Sequence, residues 1–192
     1  MRVIHAASPR ARRVRMFLLL LLVAAVAAAL FAGTRLYLKA AYPLRYEDLV
    51  RRAAAAYDVP ESLVYAVIRV ESGFDPNAVS HADAQGLMQI TDDTLIWSRY
   101  RLHLDTDGLD LFDPATNIQT GTHVLSLLSE QYDSVETVLA AYNAGIGTVS
   151  RWLGDPELSP DGKTLTRIPY GETEQYVQKV LASKQIYEYL YS

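Results

Sequence analysis

Hydrophobic positions are laid out along this chain in two ways. From Met16 to Gly33 they form an unbroken run of eighteen uncharged residues, MFLLLLLVAAVAAALFAG. After residue 44 they recur instead at helical spacing among polar positions. Arg10, Arg12, Arg13 and Arg15 stand immediately before the apolar run. A hydrocarbon core of ~30 Å takes ~20 helical residues to cross, so residues 16–38 read as a transmembrane helix behind a basic tail, residues 1–15. The arginines place that tail, with His5, in the cytoplasm and send the rest of the chain outward as a single-pass protein. A cleaved signal peptide is the competing reading, since Ala24–Ala29 offers small residues, but the run outlasts the ~7–15 residues usual for one.

The periodic part predicts helices with recognisable ends. Residues 47–57 (EDLVRRAAAAY) read as one. Asp58-Val-Pro-Glu61 looks like the start of the next, with Asp58 as cap, Pro60 in the first turn and Glu61 completing a capping box. That helix runs to about Ser72, and Gly73 closes it in a left-handed conformation. Residues 74–113, rich in Asp, Asn, Gly, Ser and Thr, read as mostly irregular with short helical turns. Asp113 caps a helix that runs from Pro114 to about Tyr132, with Ile118, Val124, Leu125 and Leu128 inward. Residues 135–143 form a shorter helix stopped near Gly145 and Gly147, and residues 154–168 a polar loop. Residues 172–190 form the last helix. The expected fold is mainly α, with at most a small β element within residues 80–110, in a domain covering residues 45–192.

Charge narrows the function. All 22 acidic residues follow residue 40, with 11 of the 18 basic ones, a balance of −11. Nucleic-acid binding rests on Lys and Arg neutralising phosphates, so it is excluded as a function for this domain. The absence of cysteine removes disulfides, thiolate metal sites and a cysteine nucleophile together. The four histidines, His5, His81, His103 and His123, are too scattered for a zinc site. Asp105, Asp107 and Asp110 hint at calcium, but the glycine falls at the wrong place for a calcium loop and a solvated turn is the better reading. No metal and no cofactor are expected.

One polar residue interrupts an apolar pattern. Leu63, Val64, Ala66, Val67, Ile68 and Val70 make one broad face of the second predicted helix. Glu71 follows Val67 by four positions and Leu63 by eight, so it projects from that face. Lost hydration disfavours the charged carboxyl and raises its pKa, which suits a proton donor at neutral pH. Periodicity leaves a second reading open: a helix-end glutamate that is salt-bridged or escapes to solvent past Gly73.

The residues that follow bear on that choice. Glu71-Ser-Gly-Phe-Asp-Pro-Asn-Ala-Val-Ser80 and then Gln85-Gly-Leu-Met-Gln-Ile90 resemble the catalytic stretch of the soluble lytic transglycosylase family, relatives of goose-type lysozyme. Asn117-Ile-Gln-Thr-Gly121, Ala141-Tyr-Asn-Ala-Gly145 and Glu172-Thr-Glu-Gln-Tyr-Val177 resemble further blocks of that family, in order. The resemblance spans roughly residues 45–190. It implies a lysozyme-like α+β fold and cleavage of the β-1,4 bond between N-acetylmuramic acid and N-acetylglucosamine in peptidoglycan, ending in a 1,6-anhydro ring. Glu71 matches the family's single acid/base. Ser80, Gln89, Tyr142 and Glu172 match substrate-binding positions, and Gly86, Met88, Asn143, Gly145 and Tyr176 belong to the structural part of the motifs. Asn143 is read as capping the turn at Gly145. The implied partners are peptidoglycan strands and, through the apolar helix, a membrane, with envelope-assembly proteins left open.

Two departures stand out. The family's Gly-Ala before Gly-Leu-Met-Gln is Asp83-Ala84 here, and its Met-Pro after Gln-Ile is Thr91-Asp92. A hydrolytic muramidase of the same fold and an inactive glycan-binding scaffold remain the alternatives; retention of Glu71, Ser80, Gln89 and Tyr142 together argues against the second.

Overall fold

A computed structural model describes residues 9–191. His5 and the first half of the basic tail lie outside the described residues. The chain divides into two compact units, residues 1–43 and 44–192.

The first unit is one helix, α1 (Pro9–Ala41). Its stretch Arg15–Ala41 has a mean hydropathy of 2.7 and is long and apolar enough to cross a membrane. Large side chains such as Leu18, Leu22 and Phe31 are exposed along it.

The second unit holds seven helices among the described residues: α2 (Glu47–Tyr57), α3 (Glu61–Glu71), α4 (Asp92–Arg101), α5 (Pro114–Gln131), α6 (Val135–Ala144), α7 (Ile146–Leu153) and α8 (Gly171–Tyr191). The β content is two isolated bridges, Val79 with Gln85 and Gln85 with Ile90, which fold residues 79–90 into a tight double turn. This agrees with a mainly helical domain carrying a small β element. Helix α3 packs chiefly on α8, α2 on α5, and α6 joins α5 to α8. Their shared core includes Val64, Ile68, Leu87, Met88, Ile118, Leu125, Leu139 and Val180, all fully buried.

Several local expectations need correction. Asp58 does not cap α3; it ends α2 in a left-handed turn (φ 52°), its N–H bonding to Ala54 O. Pro60 holds the N-cap position of α3 with no side-chain hydrogen bond, because Asp58 is already used to turn the chain. Residues 74–113 are largely turns and irregular chain as expected, but ten of them form a full helix, α4, rather than short helical turns. Thr91, standing where the family pattern has methionine, starts α4 by accepting from Thr94 N–H at 3.3 Å. Gly145 ends α6 as expected, at φ 86°, but a helix the sequence reading did not include, α7, starts directly after it and runs through Gly147. Asp113 caps α5 as expected, accepting from Thr116 N–H at 2.8 Å.

Candidate active site

The site is assembled from the end of α3, the double turn, and the facing sides of α6 and α8. Helix α3 stops at Glu71 because Ser72 leaves helical geometry and Gly73 turns left-handed (φ 59°). The Ser72 hydroxyl accepts from Phe74 N–H at 3.1 Å and reaches Leu87 O at 2.8 Å, which ties the double turn to the helix end.

Asn117, in the first turn of α5, holds the same segment from below. It is fully buried. Its Oδ1 accepts from Met88 N–H at 2.7 Å, and its Nδ2 donates to Gln85 O and Leu111 O, both at 2.8 Å. Gly86 lies over this amide at φ 73°, and a Cβ there would come within 2.3 Å of Asn117 Nδ2. Gly121 likewise leaves room for Met88, whose Sδ would sit 2.5 Å from a Cβ. On the opposite side the Tyr142 hydroxyl donates to Met88 O at 2.8 Å. Residues 86–88 are thus fixed by Ser72, Asn117 and Tyr142 at once.

Against that frame Glu71 is half-buried, with no counter-charge within ion-pair reach. Burial lifts its pKa from 4.5 to about 7, and the Tyr176 hydroxyl pulls partly the other way. The Tyr176 oxygen is itself buried without a partner at full hydrogen-bond geometry. It therefore stands as a donor close to the carboxyl but short of a complete bond, which is common in ligand-free catalytic sites. Burial first, and then the charge of Glu71, raise the pKa values of both Tyr142 and Tyr176 well above 10. The two phenols keep different options. The proton of Tyr142 is engaged with Met88 O, whereas the proton of Tyr176 remains available.

The other residues singled out from the sequence sit farther out. Ser80 Oγ accepts from Ala82 and Ala84 N–H at 3.2 and 3.1 Å, which leaves its proton for another group. Gln89, left-handed at φ 50°, turns its amide to Gly86 O and Ala78 O at 2.9 and 3.2 Å. Both side chains brace the double turn, and neither touches Glu71. Asp83 takes φ 56°, so the left-handed corner suited to glycine is kept without one. Glu172 is exposed in the first turn of α8 and shares a cleft of about 550 Å³ with Asn143 and Tyr170. Asn143 does not cap Gly145; that N–H bonds to Ala141 O, and the Asn143 side chain is exposed at the cleft. The cleft's lining residues Asn143 and Glu172 belong to the same two helices, α6 and α8, that carry Tyr142 and Tyr176. Tyr170 also meets Trp152 edge to face, ring centres 4.9 Å apart.

Two features escape sequence reasoning. Asn117 is the organiser of the site, visible beforehand only as part of a motif. Tyr176 is a neighbour of Glu71 rather than a packing residue. A tyrosine in an amphipathic helix carries no mark of where its hydroxyl ends.

The chain that carries this carboxyl is similar to known proteins in sequence and fold. Residues 48–162 match the family model described as the transglycosylase SLT domain. The soluble lytic murein transglycosylase of Escherichia coli K12 is 35% identical over 157 residues, 80% of this chain and 24% of that protein. A membrane-bound lytic murein transglycosylase C from Klebsiella pneumoniae is 36% identical over 167 residues, 74% of this chain and 46% of that protein. The crystal structure of the 70 kDa soluble lytic transglycosylase from E. coli superposes with a TM-score of 0.68 at 34% identity, covering 79% of this chain and 25% of that one. A 70 kDa soluble lytic transglycosylase in complex with bulgecin A superposes with a TM-score of 0.69 at 34% identity, covering 79% of this chain and 25% of that one. This chain belongs to the transglycosylase SLT domain family. It spans less than half the length of the curated relatives named here. The family match ends at residue 162, so Glu172 and Tyr176 on α8 lie beyond it.

Proposed function

We propose that the folded unit is a peptidoglycan lytic transglycosylase that cleaves the β-1,4 bond between N-acetylmuramic acid and N-acetylglucosamine with Glu71 as its single acid/base. The observation that carries this reading is the carboxyl itself: with a pKa of about 7 it is substantially protonated at neutral pH, as a general acid must be. Protonated Glu71 donates to the bridging glycosidic oxygen as the bond to C1 breaks. The substrate's acetamido group stabilises the oxocarbenium-like centre. The resulting carboxylate then takes the proton of the C6 hydroxyl while O6 bonds to C1, which closes the 1,6-anhydro ring and restores Glu71. No water is consumed, and an internal nucleophile has a high effective concentration.

The tyrosines fit the two halves of this cycle. Tyr142 can accept from the protonated carboxyl, and Tyr176 can donate to the ionised one. Most hydrolytic glycosidases use two carboxyl groups ~5–9.5 Å apart. No second carboxylate is among the groups that act on the Glu71 pKa. Ser80, Gln89 and Glu172 border the sugar path in this reading, with Gln89 and Ser80 offering what their backbone contacts leave free.

Helix α1 anchors the protein in the membrane as a single span, with Arg10, Arg12, Arg13 and Arg15 cytoplasmic and the folded unit outside. The names of the membrane-bound relatives support anchoring. The test is digestion of purified peptidoglycan by the full chain in detergent, with products identified by mass spectrometry. Anhydromuramic ends from the wild type, absent with Glu71→Gln, are expected. Reducing muramic ends would move the assignment to a hydrolase, and no release by folded protein would leave a glycan-binding scaffold.

A further inference from the structure

The end of the α3–α8 pair remote from Glu71 carries a second pocket. The two helices run antiparallel: Glu71 neighbours Tyr176 at one end, and Ser62 Oγ bonds to Glu188 at 3.3 Å at the other. Nine residues of α3 separate these points, ~14 Å at 1.5 Å per residue. The pocket, about 550 Å³, is walled by Glu47, Glu61, Glu188 and by Tyr65, Tyr187 and Tyr191. The rings form a continuous aromatic wall: Tyr65 and Tyr187 stack with centres 5.2 Å apart, and Tyr187 and Tyr191 with centres 6.1 Å apart.

Two of the carboxylates have a cation at hand, although Arg51 is shared between Glu47 and Asp48. Glu47 meets Arg51 at 3.7 Å, and Glu188 meets Lys184 at 2.5 Å. Glu61 makes no side-chain hydrogen bond or ion pair among the described residues, so the pocket keeps one carboxylate in excess. The Tyr65 hydroxyl is the second, independent feature. Tyr65 is 2% exposed and its oxygen is buried with no hydrogen-bond partner. A buried hydroxyl left empty-handed is costly and rare. Tyr65 itself lines the pocket, and besides burial the groups that act on its hydroxyl are Glu47, Glu61 and Tyr191 of the pocket wall and, in the opposite sense, Arg51 behind Glu47.

We propose that this pocket binds a small organic cation with N–H donors, an alkylammonium or guanidinium group on an apolar arm. Glu61 takes the charge, the Tyr65 oxygen accepts an N–H, and the tyrosine rings cover the arm and the cationic head. A metal ion does not fit, since no group of three acidic or histidine side chains is arranged to hold one among the described residues. An anion meets excess negative charge.

The test uses the full chain in a maltoside detergent, titrated with 1,5-diaminopentane and with the methylamide of N-acetyl-lysine, and with 1-pentanol as the neutral control, followed by calorimetry. Both cations are expected to bind saturably and more weakly at high salt, and pentanol not at all. Tighter binding of the lysine amide assigns the natural ligand to a peptide side chain, and tighter binding of the diamine to a free amine. Glu61→Gln should weaken binding about tenfold, the equivalent of one charge-assisted hydrogen bond. Tyr65→Phe should weaken it about fivefold on the same ground, without lowering the melting temperature of the empty protein. Glycan cleavage should be unchanged in the Glu61→Gln variant, which separates this pocket from the Glu71 site. Absence of saturable binding, equal binding of pentanol, or an affinity unmoved by Glu61→Gln would overturn the proposal. So would binding of a neutral chitooligosaccharide here in place of the cations.

Discussion

Asn117 is fully buried and Glu71 half-buried in one small helical unit, and their polar groups are treated oppositely. Asn117 has three short hydrogen bonds, to Met88 N–H, Gln85 O and Leu111 O. Glu71 has burial, no counter-charge, and a tyrosine hydroxyl just out of full bonding range. A satisfied buried amide stabilises one arrangement of its neighbours and has nothing left to offer a ligand. An under-satisfied buried acid raises the energy of the fold and is reactive for that reason. Asn117 holds the strip 86–88 from one side, and Ser72, the residue after Glu71, ties the same strip to the end of α3.

That division can be broken from either side. The largest effect is expected at Glu71: Glu71→Gln should lower the rate of glycan cleavage by about 10³-fold, within the usual range for a lost general acid/base, read from muropeptide release. Next comes Asn117→Ala, which strands Met88 N–H and Leu111 O, while Gln85 O keeps Ile90 N–H, and should cost about 4 kcal/mol in denaturant unfolding. Cleavage should be lost in this variant because the strip moves, and it should fall together with stability, unlike in Glu71→Gln.

Third, Glu71→Gln should stabilise the protein, and more so at high pH. A carboxyl with a pKa of 4.5 unfolded and about 7 folded binds its proton more tightly in the native state. Native stability therefore declines as pH rises between those values, by up to about 3 kcal/mol above pH 7. Glutamine mimics the protonated form, so the gain should be near zero at pH 4 and largest at pH 8, measured by urea titration at both. Cleavage by the wild type should fall across the same upper limb as Glu71 loses its proton. Smallest is Tyr142→Phe, which removes one bond to Met88 O and should cost about 1 kcal/mol of stability by the same method. If Tyr142 also accepts from Glu71, the pH limb of cleavage should move down in this variant, whereas a purely packing role would leave it in place.

The helical frame was legible where pattern and punctuation agree. Residues 47–57 and the Asp113 cap follow from local chemistry, and Glu71 could be picked out because a charge on an apolar stripe contradicts its own period. The misread turn at Asp58 has a physical cause. Aspartate suits both an N-cap and a left-handed C-terminal turn, and only the path of the chain between α2 and α3 decides which. Helix α4 was hidden because its exposed Ile96 and Tyr100 blur the apolar face. The stop at Gly145 was legible, but α7 was not, because a glycine that ends one helix can also begin the next. The motifs located Ser80, Gln89 and Tyr142, but nothing local showed that Ser80 and Gln89 turn toward their own loop. Hydrogen-bond partners 11 or 54 positions away, as for Gln89 and Tyr142, exist only after folding.

The contact between Tyr170 and Trp152 has a practical consequence. Tyr170 lines the cleft with Glu172 and Asn143, and its ring lies against one of only two indoles in the chain. A sugar that displaces or covers Tyr170 must alter the surroundings of Trp152 and with them its emission. The protein thus carries its own optical reporter of cleft occupancy, one that works when Glu71 is replaced and no bond is cut. With Trp97→Phe to silence the other indole, binding could be followed in real time, apart from turnover.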